Sequence, residues 1–363
     1  MTQDIRHMAH ALRLGRRRMG QCWPNPAVGC VIVKDGRVIG RGATAPGGRP
    51  HAEPQALAQA GVAARGATVY VTLEPCAHHG KTPPCAEALV KAGVARVVAP
   101  LADSDPRVSG KGFEHLRRHG IEVTTGVLAE EAARDHAGFF LKVGEGRPLV
   151  TLKLANSFDG RIATATGESQ WITGPEARRV VHGLRAAHDA VMVGAGTARS
   201  DDPALTVRGW GEVRQPVRVV VSRLIDVPLM SKLASTARQV PVWLAHGSDA
   251  APATRKAWQS CGAKLIPCEI RAGRVDPHGL LRELGEQGLT RVFCEGGGQL
   301  AASLLSADLV DELVGFTAGL ALGAEGRPGI GAMGVDRLSE APRFVLDEVR
   351  AVGPDVMHRW RRA

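Results

Sequence analysis

Thr68-Val-Tyr-Val-Thr-Leu-Glu-Pro-Cys76 and, after a polar insert, Pro84-Cys-Ala-Glu-Ala-Leu-Val-Lys-Ala-Gly93 set the architecture of this chain. The first run is β-branched and aromatic and predicts a strand over residues 68–73. The second predicts a helix that opens after proline and stops at glycine. Open α/β sheets place ligands at turns of this kind, at the carboxyl ends of strands. This turn carries two thiols, and a thiolate at a helix N-terminus has a depressed pKa and binds metal readily.

Upstream, His51-Ala-Glu53 adds an imidazole and a carboxylate. His51, Cys76 and Cys85 fill three corners of a tetrahedral Zn²⁺ site and leave the fourth for water, which marks a catalytic rather than a structural zinc. A water held there has its pKa lowered to roughly 7. Glu53 is not needed for coordination and is free to carry a proton from that water to a departing amine, as in zinc-dependent base deaminases. The plainer reading, two buried cysteines near an unrelated histidine, requires spacing, prolines and glutamate all to coincide. His78 and His79 are rival ligands. A fourth protein ligand would close the open corner, so His78-His-Gly-Lys-Thr-Pro-Pro84 reads as a loop over the pocket.

With 363 residues the chain exceeds one ordinary core and predicts two domains. Apolar residues at 44% and charged residues at 23% exclude wholesale disorder, and no apolar run has the length of a membrane span. Asp4 precedes the basic run Arg16-Arg-Arg18, the reverse of a secretory signal, so a cytoplasmic protein with no membrane partner is expected. Seven cysteines, two of them assigned to metal, argue against a disulfide framework, so Cys22, Cys30, Cys261, Cys268 and Cys294 read as core or surface thiols. The net charge of +10 suits small phosphorylated substrates. No basic stripe interleaved with aromatics points to nucleic acid, and Arg16 to Arg18 read as a solvated helix face.

Ala27-Val-Gly-Cys-Val-Ile-Val33, the Asp35-Gly36 turn and Val38-Ile-Gly40 predict a hairpin that opens the first sheet. Helices and strands then alternate to about residue 124, as in an α/β layer. The polar, glycine-rich Gly144-Glu-Gly-Arg-Pro148 marks a boundary, giving domains 1–146 and 147–363. The second domain also reads as α/β, with strands near 149–154, 190–193, 217–221, 240–245, 291–294, 310–316 and 344–352.

Glu295-Gly-Gly-Gly298 follows one of these strands and precedes the helical Gln299-Leu-Ala-Ala-Ser-Leu-Leu305, so bare amides at a helix N-terminus can meet a pyrophosphate. Alone, the same glycines also describe a plain tight turn. Lys153, Asp159, Arg161, Ser169 and Trp171 crowd one strand end, and Asp201-Asp-Pro203 with Arg208 repeats that density. A sheet-edge lysine, an Asx turn and a core tryptophan are the plainer readings of these.

Several blocks in order resemble the bifunctional riboflavin-biosynthesis deaminase–reductases over nearly the whole chain. Pro24-Asn-Pro-Ala-Val-Gly-Cys-Val31, His51-Ala-Glu53 and Glu74-Pro-Cys76 through Pro84-Cys85 are similar to the deaminase half. Thr151-Leu-Lys-Leu-Ala-Asn-Ser-Phe-Asp-Gly-Arg161, Gly167-Glu-Ser-Gln-Trp-Ile-Thr173, Asp201 to Arg208 and Glu295 to Gly298 are similar to the reductase half. The resemblance implies a cytidine-deaminase-like α/β/α domain followed by a dihydrofolate-reductase-like α/β domain. It also implies one Zn²⁺ per chain held by His51, Cys76 and Cys85, with Glu53 catalytic, and NADPH as the second cofactor. Ala155, Trp171, Thr197, Asp201, Ser222 and the stretch Gly297, Gly298, Gln299, Leu300, Ala301, Ala302 and Ser303 would contact NADPH. Ser169, Arg185, Leu205, Arg208 and Glu295 would contact a phosphorylated pyrimidine, the arginines by forked hydrogen bonds to phosphate. A homo-oligomer is expected. Thr44 stands where the family usually has a histidine near the deaminase pocket, His136 where asparagine is usual, and Gly319 where proline is usual.

Two rival readings remain. A tRNA or nucleoside deaminase would use the same metal kit, but usually with a short Cys-x-x-Cys and without the second half. A ligand-holding protein is the other, which the intact Glu53 disfavours for the first half.

Overall fold

The computed structural model describes residues 2–78 and 83–363, in two compact units that divide between Gly146 and Arg147. The first unit runs α1 (Thr2–Arg16), β1 (Gly29–Lys34), β2 (Arg37–Ala43), α2 (Ala52–Ala60), β3 (Thr68–Val71), α3 (Cys85–Ala92), β4 (Arg96–Ala99), α4 (Lys111–Arg118), β5 (Glu122–Thr125) and α5 (Ala129–Glu145). Asp35 and Gly36 both have positive φ, as a two-residue hairpin turn requires. The five strands order as β2-β1-β3-β4-β5, antiparallel across β2, β1 and β3 and parallel from β3 to β5.

Alternation along β1 divides its side chains between two apolar layers. Cys30 and Ile32 pack with Ala52 and Ala56 of α2, Leu89 of α3 and Phe113 of α4, whereas Val31 and Val33 pack with Met8, Ala11 and Leu12 of α1. Glycine permits the close approach of helix to strand. A Cβ at Gly29 would lie 1.9 Å from the Ala11 carbonyl oxygen, and one at Gly42 would lie 2.0 Å from that of Ala52. Arg16 is exposed, as expected of a solvated face, and from there ties α1 to α5 by donating from Nε to Asp135 at 2.7 Å and from a terminal nitrogen to Glu131 at 3.2 Å. The polar stretch from Gly144 does not interrupt α5, which continues to Glu145 and is capped by left-handed Gly146.

The second unit runs β6 (Leu149–Ser157), β7 (Arg161–Ala163), α6 (Pro175–Ala186), β8 (Ala190–Gly194), α7 (Ala195–Asp201), β9 (Val217–Val221), α8 (Lys232–Ser235), β10 (Val242–His246), α9 (Pro252–Ser260), β11 (Lys264–Pro267), β12 (Ile270–Arg271), β13 (Arg274–Val275), α10 (Pro277–Glu286), β14 (Arg291–Cys294), α11 (Gly298–Ser306), β15 (Glu312–Ala318), β16 (Arg327–Pro328), β17 (Phe344–Val352) and β18 (Asp355–Arg362). Its main sheet orders as β11-β10-β9-β8-β14-β6-β15-β18-β17, parallel until the antiparallel β18 and β17. Trp258, Phe293 and Phe316 fill the core. Asp311 accepts from both terminal nitrogens of Arg147, at 2.8 and 2.9 Å, and from the Val150 N–H at 2.8 Å, which aligns the starts of β6 and β15.

Two of the plainer readings do not hold. Lys153 lies on β6, flanked by β14 and β15, rather than on an edge. Trp171 is 66% exposed, with the Arg178 guanidinium 4.5 Å from its ring, rather than in the core. Residues 355–362 form β18 although arginines and a histidine interrupt their apolar residues and blur the strand signal in the sequence. Among the described residues no helix is long and apolar enough to cross a membrane.

Gly29→Ala should therefore lower stability by about 1–3 kcal/mol or more through overpacking against α1. Gly144→Ala, in α5 with nothing near the added methyl, should leave stability unchanged or raise it by up to about 1 kcal/mol. Urea denaturation of the two variants and the parent measures both.

Candidate metal centre and cofactor cleft

Three local features bring the metal donors together. His51 is the N-cap of α2, and Cys85 is the first residue of α3, behind Pro84 at its N-cap. Cys76 lies in the turn that leaves β3, and its sulfur accepts the Cys85 N–H at 3.4 Å. The Nδ1 of His51 is 3.7 Å from Cys76 Sγ and 3.4 Å from Cys85 Sγ, and all three donor atoms lie within 4.8 Å of one another. These separations match edges of a tetrahedron drawn with Zn–N and Zn–S bonds of about 2.0–2.3 Å, so the donor set fits zinc. Among the described residues no further His, Cys, Asp or Glu joins the cluster. His78 is outside it, whereas His79 and the Gly80 to Thr82 part of the expected loop lie outside the described residues.

The electrostatics favour a thiolate beside a proton carrier. Hydrogen bonds from the Cys85 thiol, the His51 ring and the Cys85 N–H pull Cys76 down to about 4. Glu53, in the first turn of α2 and 4% exposed, is pushed up to about 7 by burial and by the adjacent Cys76 charge.

Two supporting residues were not singled out from sequence. The Asn25 amide lies 3.3 Å from His51 Nε2 and donates to the Gly48 carbonyl at 2.9 Å, orienting the ring from behind. Glu74, buried, accepts four backbone N–H groups: Asp103 at 3.0 Å, Gly110 at 2.9 Å, Gly112 at 2.8 Å and Phe113 at 3.2 Å. It thereby clamps the start of α4 to the turn that carries Cys76. Their signal lay in the quoted blocks, since Asn25 sits between two prolines and Glu74 is two residues from Cys76. Thr44, in the position of the usual histidine, is 1% exposed and accepts the Val28 N–H at 3.0 Å, so its hydroxyl serves the strand end.

The second unit contains a cleft of about 1130 Å³. Of the residues expected on NADPH, Thr197, Asp201, Ser222, Gly297, Gly298, Gln299, Leu300, Ala302 and Ser303 line it, and so does Ser169 from the substrate set. Ala155, Trp171 and Ala301 do not; Ala301 is fully buried on the inner face of α11. Gly297 is the N-cap of α11, Gly194 that of α7, and neither helix start has a side-chain cap. Both therefore present unsatisfied N–H groups to one space. Gly194-Ala-Gly196 forms a further part of the wall, and its glycines after a strand repeat the pattern of 296–298. Arg199, Arg223, Arg274 and Arg327 add positive charge to the rim.

Arg185, Leu205, Arg208 and Glu295 do not line that cleft. Arg185 and Glu295 bind each other: the guanidinium forks onto the carboxylate, with one contact at 3.0 Å, and a third donor reaches the Thr206 carbonyl at 2.8 Å. Burial raises the Glu295 carboxyl, but Arg185 and Lys153 outweigh it and hold the group below its usual range. Arg185 thus has a carboxylate partner where a phosphate was expected, whereas Arg208 is exposed with its N–H on His182 Nδ1 at 3.2 Å. Leu205 packs in the core.

Residues 1–101 match the cytidine and deoxycytidylate deaminase zinc-binding region, and residues 148–358 match the RibD C-terminal domain. The chain is 42% identical to the riboflavin biosynthesis protein RibD of Escherichia coli, with 98% of each chain covered. It is 39% identical to that of Aquifex aeolicus, covering 99% of this chain and 98% of the other. Acinetobacter baumannii RibD superposes with a TM-score of 0.88 at 38% identity, covering 100% of this chain and 99% of the other. A Thermotoga maritima diaminohydroxyphosphoribosylaminopyrimidine deaminase/5-amino-6-(5-phosphoribosylamino)uracil reductase gives 0.87 at 34%, with the same coverage. With a His-Cys-Cys centre in one unit and a cleft lined by two helix starts in the other, the chain belongs to the RibD family of zinc- and NADPH-dependent riboflavin-biosynthesis deaminase–reductases.

Proposed function

We propose that residues 1–146 deaminate 2,5-diamino-6-(5-phosphoribosylamino)pyrimidin-4(3H)-one and that residues 147–363 reduce the ribosyl group of the resulting 5-amino-6-(5-phosphoribosylamino)uracil to ribityl. The observation that carries this reading is the convergence of His51, Cys76 and Cys85 on one point, with Glu53 buried in the adjoining helical turn. Zinc, when bound, acidifies water so that a nucleophile exists at neutral pH. His51, Cys76 and Cys85 would hold the metal, with Asn25 fixing the imidazole. Glu53 takes one proton and delivers it to the departing amine; burial suits it to both halves of that cycle.

In the second unit NADPH supplies the hydride. The amides at Gly297 and Gly298 would hold its pyrophosphate, and Thr197, Asp201, Ser222, Gln299, Leu300, Ala302 and Ser303, which line the cleft, would surround the rest. Arg208 takes the substrate phosphate. Arg185 serves by holding Glu295 in place. The protein acts in the cytoplasm as a homo-oligomer, for which the exposed Val345, Leu346, Val349 and Val356 on the β17–β18 hairpin offer an apolar edge.

Glu53→Gln should lower ammonia release by roughly 10²-fold or more while NADPH oxidation on supplied deaminated substrate persists. Metal removal with a chelator should separate the activities in the same way. Loss of both together would overturn the assignment of one chemistry to each unit.

Arg208→Ala should raise KM for the reductase substrate with NADPH affinity near that of the parent. Gly297→Val should weaken NADPH first, because even a Cβ there would lie 3.1 Å from Thr197 Oγ1 and crowd the helix start. Titration of NADPH fluorescence distinguishes the two; equal loss in both would assign Arg208 to the cofactor.

A further inference from the structure

A second cavity, of about 460 Å³, lies in the first unit, lined by Gln3, Arg6, His7, His10, Arg13, Gly36, Val38 and Arg41. Residues 3, 6, 7, 10 and 13 recur at helical spacing and so share one face of α1. The opposite wall depends on a bulge. Val33 pairs with Val38 and Ile32 with Gly40, which leaves Ile39 as the extra residue of β2. Without it Val38 and Arg41 would point to opposite faces. With it Arg41, paired to Val31, shares the α1 side with Val38, paired to Val33, since Val31 and Val33 both pack on α1. The irregularity thus turns a guanidinium towards the helix face that already carries Arg6 and Arg13.

The wall contains no carboxylate. Among the described residues Arg6, Arg13 and Arg41 form no ion pair, in contrast to Arg16 and Arg96, whose partners are Asp135 and Asp4. Asp4 is already committed to Tyr70 and Arg96. His7 is buried with its ring 5.1 Å from that of Tyr70. Burial, then Arg41, His7, Arg13 and Arg17, hold the His10 ring below its usual pKa. Three unneutralised guanidinia and two imidazoles around a concavity in the size range of small-molecule sites, roughly 300–1,000 Å³, are complementary to a compact anion.

We propose that this pocket between α1 and β2 binds a phosphate-bearing small molecule, apart from both the metal centre and the cofactor cleft. Arginine forks grip phosphate oxygens in pairs, and the two imidazoles donate to the remainder.

Calorimetric titration of the full zinc-loaded chain tests this with ADP, pyrophosphate and a short oligothymidylate as probes, the pocket variants separating this site from the cofactor cleft, whose residues they leave untouched. ADP and pyrophosphate should bind the parent and bind an Arg6→Gln/Arg13→Gln/Arg41→Gln variant roughly tenfold or more weakly, with both turnovers retained. Arg41→Gln alone, which leaves α1 intact, should show part of the loss. Tighter binding of ADP than of pyrophosphate would identify a nucleotide as the fitting ligand, and equal binding would identify the phosphate groups alone; either supports the site. Identical isotherms for parent and variants would overturn the proposal. So would an oligothymidylate that binds more tightly than ADP and is the probe whose affinity the variants lose, since that would make this face a nucleic-acid surface.

Discussion

Backbone N–H groups at the start of a helix have no partner within it, and in both units this constraint shapes the site. Where a parallel strand hands over to a helix, these donors converge at the carboxyl edge of the sheet and must be satisfied. Helices α8 and α10 solve the problem locally, with Ser231 and Asp276 as side-chain caps. The helices that frame the sites do not: α2, α3, α4, α7 and α11 begin at His51, Pro84, Gly110, Gly194 and Gly297 without a side-chain cap. Their amides turn to other acceptors. The first turn of α4 finds the buried carboxylate of Glu74, and the first amide of α3 finds the sulfur of Cys76.

The same constraint serves opposite chemistry in the two units. In the first, donors aimed at sulfur favour the thiolate, which is the form that binds metal. The site is therefore prepared electrostatically, with Asn25 and Glu74 holding ring and turn in place. In the second, two uncapped helix starts face one cleft without an acidic cap, so the amides remain available to an anionic cofactor. Gly298 is part of that arrangement. A Cβ there would lie 2.8 Å from the Pro328 carbonyl oxygen, so only glycine lets the neighbouring loop close beside the helix start.

Buried charge in the second unit follows a different rule. Arg185 and Glu295 lie on separate elements, and each would be costly to bury alone. Paired, they form a fixed dipole next to Lys153 and His182. Folding thus brings to Arg185, an arginine that the family resemblance places on the substrate, the carboxylate of Glu295 as a partner. Thr44 is absorbed in a similar way: standing where a histidine is usual, it is buried at the end of β1 with its hydroxyl accepting the Val28 N–H.

The sequence by itself determined the elements whose signals are local. The Asp35-Gly36 hairpin, the glycine stop at Gly93, the proline start before Cys85 and the donor chemistry of His51, Cys76 and Cys85 depend on residue type and near-neighbour spacing, which sequence displays directly. It also displayed Gly297 and Gly298 before a helix, and with them much of the cleft wall. Only the tertiary structure decided what long-range pairing supplies. It placed Lys153 inside a sheet, joined Arg185 to Glu295 across 110 positions, gave Glu74 its four amides, and let one bulged residue turn Arg41 towards α1. Burial and pairing of this kind depend on which distant segment arrives, and no local pattern encodes the partner.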